Sequence, residues 1–207
     1  MNCKETSEMS QAKVLTEKEI KKVVKVIDAK RHSTRNRCMF LLTHGSGMRV
    51  GEVASLRICD VLARDGSINS EVYLSAVQTK GNKGRTVYLS DKMREEISLY
   101  LKTRFKLKDL LPVTMTDTVR ALFANQKDCH RGFSSSTACQ MFHYWYKEAK
   151  IEGASSASGR RGFITNLANK GVHVRILQEL AGHSSIAVTQ KYIDVNQDKL
   201  RIAVEML

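Results

Sequence analysis

The chain reads as an α+β protein, mainly α with a small β-sheet. Two observations predict that class. Apolar residues recur at helical spacing through most of the chain, and a single proline interrupts its 207 residues. One stretch, residues 72–89, changes period and carries Gly-Asn turn chemistry between two strand-like runs. With 42% hydrophobic residues the chain can bury one good-sized core, or two small ones.

The elements follow in order. Residues 1–14 are polar and expected to be mobile. Thr16 reads as a helix N-cap, with Glu19 completing a capping box, and Ile20, Val23, Val24 and Ile27 give that helix a buried stripe. A second helix is expected over 34–43, broken by Gly45 and Gly47, with helical pattern resuming from Val50 to Leu56. Val72-Tyr73-Leu74 and Thr86-Val87-Tyr88-Leu89 are the strands, joined through Lys80-Gly81-Asn82-Lys83-Gly84-Arg85. Helices are then expected over 91–105, 136–150, 162–169, 174–180 and 186–191, with a final amphipathic helix over 197–207.

Composition narrows the function classes. The formal net charge is +13, from 34 Lys and Arg against 21 Asp and Glu. Such an excess points to a polyanionic partner, since phosphate contacts release condensed counterions, although net charge alone speaks of association and not of fold. Five irregularly spaced cysteines and a polar N-terminus without a secretory leader predict reduced thiols and a cytoplasmic location. No apolar run reaches the eighteen or so residues that a membrane span needs.

Four residues carry the chemistry. Arg49 lies in Gly47-Met48-Arg49-Val50-Gly51-Glu52 and Arg160 in Ser158-Gly159-Arg160-Arg161-Gly162-Phe163. His183 follows in Gly182-His183-Ser184-Ser185, and Tyr192 comes nine residues after it. Two arginines neutralise the nonbridging oxygens of a phosphodiester, a histidine adds a proton donor, and a phenol oxygen serves as nucleophile. In this order and spacing, from about Leu15 to about Asp194, the chain resembles the tyrosine recombinase (phage integrase) family.

The resemblance assigns roles residue by residue. Arg49 opens a helix, where free N–H groups and a planar guanidinium both suit phosphate, and Glu52 becomes the acidic residue that orients the site. Taken alone, Arg49 reads better as an ordinary surface arginine paired with Glu52, because Gly-x-Gly is a weak signal. Lys80, in Thr79-Lys80-Gly81-Asn82-Lys83-Gly84-Arg85, matches the hairpin lysine that protonates the leaving 5′-oxygen, with Lys83 the fallback assignment. Lys83, Arg85 and Arg161 are expected DNA contacts. Phe163, three residues beyond Arg160, sets the register that makes Arg160 rather than Arg161 the catalytic arginine. The same register exposes a departure: the family pattern is His-x-x-Arg, and Ala157 stands at the histidine position. A methyl group cannot donate to a phosphate, and losing one such donor costs about 10²–10³ in rate where it matters fully. Either Ser156, Ser158 or a water compensates, or the chain was altered.

The resemblance implies attack by Tyr192 to give a 3′-phosphotyrosyl link and a free 5′-hydroxyl. The link conserves the bond energy, so no metal, nucleotide or other cofactor is expected. Expected partners are double-stranded DNA sites, further copies of the chain as a tetramer on DNA, and accessory DNA-bending proteins. Three segments are expected: a flexible N-terminal segment 1–14, a catalytic domain 15–195 and a C-terminal helix 196–207 suited to docking on a neighbour. With so short a segment ahead of the catalytic pattern, the chain is similar to catalytic-domain-only fimbrial invertases, or is a truncated form.

Rival readings stay open. Arg175 to Lys191 also resembles a helix-turn-helix, and Ala157 fits a catalytically impaired DNA-binding regulator. A type IB topoisomerase shares the tyrosine chemistry. Cys129, His130, Cys139 and His143 fit no standard zinc spacing, and Lys102, Arg104, Lys106 and Lys108 read as a solvated surface.

Overall fold

The computed structural model describes residues 11–106, 117–125, 127–193, 201, 204 and 205. Residues 1–10, Lys108 and most of the expected C-terminal helix therefore lie outside the described residues. The elements are α1 (Glu17–Asp28), α2 (Ser33–Ser46), α3 (Val50–Ala54), α4 (Ile58–Val61), β1 (Glu71–Leu74), a 3-10 turn (Ala76–Gln78), β2 (Arg85–Tyr88), α5 (Asp91–Arg104), α6 (Ser135–Glu148), α7 (Ser158–Asn169), α8 (Val174–Ala181) and α9 (Ile186–Gln190). Helices with one small sheet are what the sequence predicts. Among the described residues, no helix is long and apolar enough to cross a membrane.

The capping box at α1 forms as its residue types require. Thr16 Oγ1 accepts from the Glu19 amide at 3.3 Å, and Glu19 Oε2 accepts from the Thr16 amide at 2.9 Å. The stripe below it buries Val23 and Ile27 completely. Helix α2 is the hub of the core, packing against α1, α3, α5 and α7. Cys38, Met39, Phe40, Leu41 and Leu42 are all buried, and the Phe40 ring meets Phe142, Trp145 and Tyr146 of α6. A helix buried on so many sides lacks a single apolar stripe, which is why its pattern reads weakly in the sequence.

Two boundaries differ most from expectation. Helix α2 runs through Gly45 to Ser46, because Gly45 lies against Met93 of α5 and the close approach favours the missing side chain. The helix ends at Gly47, whose φ of 68° is left-handed and whose bare Cα faces the Phe163 ring of α7. Helix α7 begins at Ser158 rather than at residue 162. Ser158 is fully buried and its Oγ accepts from the Ser155 amide at 3.0 Å, so the helix starts upstream of its two glycines.

Strands β1 and β2 pair antiparallel, with Glu71 opposite Tyr88 and Leu74 opposite Arg85. Val72, Leu74 and Val87 are buried while Tyr73 and Tyr88 are exposed, the alternation a one-sided sheet demands. The connection turns through Gly81 and Asn82, with φ of 115° and 52°. Helix α8 closes on Gly182 at φ 60°, where the His183 amide donates to the Gln178 carbonyl at 3.0 Å and the Gly182 amide to Glu179 at 2.9 Å. This paired closure of the last helical turn sets the direction of His183.

Candidate active site

Three guanidinium groups gather around one buried carboxylate. Arg49 caps α3, its amide donating to Glu52 Oε2 at 2.8 Å and its Nη1 to Oε1 at 3.1 Å. Arg85 reaches from β2 and donates Nη2 to Glu52 Oε2 at 2.7 Å and Nη1 to the Leu180 carbonyl at 3.1 Å. Glu52 itself is 2% exposed. Burial alone pushes its carboxyl up, but the hydrogen bond and charge of Arg85, with the Arg49 amide and the Arg160 charge, hold it below the ordinary carboxylate range.

Arg160 is buried on the first turn of α7. Its Nη1 donates to the Gly47 carbonyl at 2.9 Å and its Nη2 to the Ala181 carbonyl, so it ties the end of α2 to the end of α8. Burial, with the Arg49 and Arg85 charges, lowers its pKa to about 10, which leaves it cationic at neutral pH. Arg161, next in sequence, is half-buried and sets its guanidinium 5.8 Å from the centre of the Tyr192 ring.

His183 and Tyr192 come together at the same place. Their rings stack with centroids 5.5 Å apart. Thr189, fully buried, holds both: its Oγ1 lies 2.9 Å from His183 Nδ1, and its carbonyl accepts from the Tyr192 amide at 3.0 Å. Burial, then the Arg160, Arg49 and Arg85 charges, depress the imidazole to about 4. A neutral ring with Nδ1 taken up by Thr189 has Nε2 left for a ligand.

Two open clefts meet at Arg49. The first, about 550 Å³, is lined by Arg49, Ser156, Ala157, Arg160, Arg161 and Tyr192 among others. The second, about 1080 Å³, runs from Arg49 and His183 out to Lys80 and Lys83. Both lysines are exposed on the turn between the strands, where Thr79 Oγ1 donates to the Lys83 carbonyl at 2.7 Å. An anion seated across these clefts meets arginine, histidine and tyrosine at one end and lysine at the other.

Other expected positions fall differently. Arg85 does not present its guanidinium outward as a DNA contact would: its side chain is 10% exposed and both terminal nitrogens are bonded inside the protein. Strand alternation carried that signal, because Arg85 shares the inward face of β2 with Val87. Ala157 is exposed in the first cleft beside Arg160 and Tyr192, while Ser158 is turned into the core, so of these two serines only Ser156 lines the cleft. Thr189, which seats the histidine, carried no signal in the sequence. The helix-turn-helix reading meets α8 and α9, but α9 spans only five residues. Arg104, expected as solvated surface, turns its Nη1 onto the Ala121 and Leu122 carbonyls at 2.6 and 2.7 Å.

Residues 13–199 match the phage integrase family. The chain belongs to that family. The tyrosine recombinase XerA of Pyrococcus horikoshii is 34% identical over 194 residues, covering 93% of this chain and 60% of that protein. XerC of Vibrio cholerae is 31% identical over 177 residues, covering 84% of this chain and 51% of the relative. The chain thus spans about half to three fifths of the length of these relatives. A crystal structure of a XerA recombinase superposes with TM-score 0.70 at 25% identity, over 94% of this chain and 64% of that one. The catalytic domain of bacteriophage HP1 integrase has the same fold, with TM-score 0.61 at 17% identity over 94% of this chain and 95% of that one.

Outside this integrase cleft, Asp128, Cys129 and His130 group on one turn, with His130 Nε2 2.9 Å from Asp117 Oδ2. The group shares no residue with either cleft, and Cys139 lines the first cleft instead. His130 is half exposed and already paired with Asp117, so the group is an ordinary polar turn.

Proposed function

We propose that this chain is the strand-cleaving domain of a tyrosine site-specific recombinase. The observation that carries the reading is the Tyr192 phenol in a cleft with Arg49 and Arg160, its ring stacked on His183. The phenol gives its proton to solvent in the open cleft as its oxygen attacks the scissile phosphorus, and the bond to the 5′-oxygen breaks, leaving a 3′-phosphotyrosyl link and a 5′-hydroxyl. Arg49 and Arg160 neutralise the charge that develops on the nonbridging oxygens, and neutral His183 donates from Nε2. Lys80, at the far end of the second cleft, gives its proton to the leaving oxygen. A 5′-hydroxyl from a partner duplex reverses the step and exchanges strands, so integration, excision and inversion all follow from one chemistry.

Lys83 and Arg161 contact the DNA backbone beside the reacting phosphate in this reading, and Glu52 orients Arg49. The net charge of +13 supports double-stranded DNA as substrate. Solved integrases of this fold carry DNA: the Tn1549 transposon integrase in complex with circular intermediate DNA has TM-score 0.75 at 19% identity, over 97% of this chain and 67% of that one. Assembly as a tetramer on two sites, with residues 196–207 docking on a neighbour and accessory bending proteins, belongs to the same proposal, as does a cytoplasmic location. Ala157 favours a second reading, a DNA-binding protein of the same fold with impaired cleavage.

The test is a nicked duplex bearing the cognate site, incubated with the protein and resolved on denaturing gels. A covalent adduct that disappears with Tyr192→Phe supports the recombinase. Tight binding without an adduct, unrescued by Ala157→His, selects the DNA-binding reading.

A further inference from the structure

Arg85 joins parts of the cleft that the chain brings from distant places. It stands at the foot of the turn that carries Lys80 and Lys83, yet its two terminal nitrogens bind Glu52 of α3 and the Leu180 carbonyl of α8. Its Cδ lies against Gly182, where an added Cβ would collide with it. Gly182 closes the turn that presents His183 and hands the Ala181 carbonyl to Arg160. Its remaining nitrogen, Nε, is buried without a partner among the described residues. Both terminal nitrogens are bonded inside the protein and the side chain is 10% exposed, so a phosphate in the cleft meets the more open Arg49 ahead of Arg85.

We propose that Arg85 is a positioning residue for strand cleavage: it holds Glu52 against Arg49 and fixes the α8 terminal turn that carries His183 and the acceptor of Arg160. A planar fork suits this task, because a guanidinium binds a carboxylate and a carbonyl at once while an ammonium offers a single nitrogen. The kinetic arm of the test rests on the recombinase reading; the exchange arm does not.

Adduct formation is measured in single turnover at saturating nicked duplex, and DNA affinity across a salt series. The proteins are wild type, Arg85→Lys, Arg85→Met, Glu52→Gln and the Glu52→Gln/Arg85→Met double variant. Displacing groups that must align costs up to about 10²-fold, so Arg85→Lys is expected to slow the adduct about tenfold and Arg85→Met about a hundredfold. Affinity stays within about threefold and the salt slope is unchanged, because no phosphate contact is lost. The double variant is no slower than the worse single variant, since both residues act as one unit. Adduct rates within about twofold of wild type overturn the proposal. A salt slope shallower by about one, with weaker binding, overturns it in favour of a phosphate contact. The second arm is amide hydrogen exchange at His183, whose N–H donates to Gln178. In Arg85→Lys it is expected to accelerate while α1 amides keep wild-type rates, and equal exchange at His183 overturns the proposal. If neither wild type nor Ala157→His forms an adduct, the recombinase reading fails, and the exchange arm still decides whether Arg85 positions the turn that carries His183.

Discussion

The rings of His183 and Tyr192 lie against one another with their planes inclined by only 22°, and Thr189 holds each of them by a hydrogen bond. The side-chain hydroxyl fixes the imidazole and the carbonyl fixes the tyrosine backbone. Thr189→Val keeps the shape and the carbonyl but removes the hydroxyl. Losing one such bond is worth about 1 kcal/mol, so the cleavage rate should fall roughly five- to tenfold with little change in DNA affinity. Equal single-turnover rates for the two proteins would remove Thr189 from the site.

Ala157 opens directly onto the first cleft, beside Arg160 and Tyr192. An imidazole placed there has room and a phosphate within the same cleft to meet. Ala157→His should therefore raise the adduct rate, by up to about 10² if the donor acts fully on the transition state. An unchanged rate and product would show that position 157 has no part in the reaction.

Arg160 satisfies the carbonyls of Gly47 and Ala181 from a buried position. Arg160→Met fills similar volume but orphans both acceptors, at a cost of about 1–3 kcal/mol for each buried group. Urea unfolding should show a loss of about 2–5 kcal/mol, alongside abolished cleavage. A stability within 0.5 kcal/mol or so of wild type would mean that water replaces both bonds.

Acid should weaken the fold through two histidines. His44, part-buried in α2 with its Nε2 enclosed, and His183 are both depressed from 6.5 to about 4, chiefly by burial. Between those values the unfolded chain takes up protons that the folded chain refuses, so stability is full above pH 6.5 and declines as pH falls toward 4. His44 contributes a slope of up to about 1.4 kcal/mol per pH unit, and the more open His183 a smaller one because solvent screens it. Glu52, held below its ordinary 4.5, loses its contribution only as pH falls below that value. Urea midpoints from pH 7 to 4.5 should slope, and His44→Gln should flatten the slope; parallel curves would refute the assignment.

Much of the fold was legible because its signals are local. Thr16 and Glu19 sit three residues apart, and the alternation of Val72, Tyr73 and Leu74 needs no knowledge of what lies beneath. Where the reading slipped, a distant contact overruled the local rule. Gly45 stays helical because α5 approaches it, and α7 starts early because Ser158 is buried. Arg85 looked like one more cation on a basic turn until its partners placed it inward.

From the sequence alone, the residue types, their order and the helical or strand character of most of the described segments were already determined, since these depend on neighbours within a turn or two. The tertiary structure alone decided which cation faces the cleft and which is spent inside. Arg85 finds Glu52 across 33 positions, and Arg160 finds Gly47 across 113. A guanidinium does not reveal in the sequence whether a phosphate or a buried carboxylate will take its hydrogen bonds. That choice belongs to the packing of α2, α3, α7 and α8 around Glu52, where leaving a buried charge unpaired costs more than any surface contact returns.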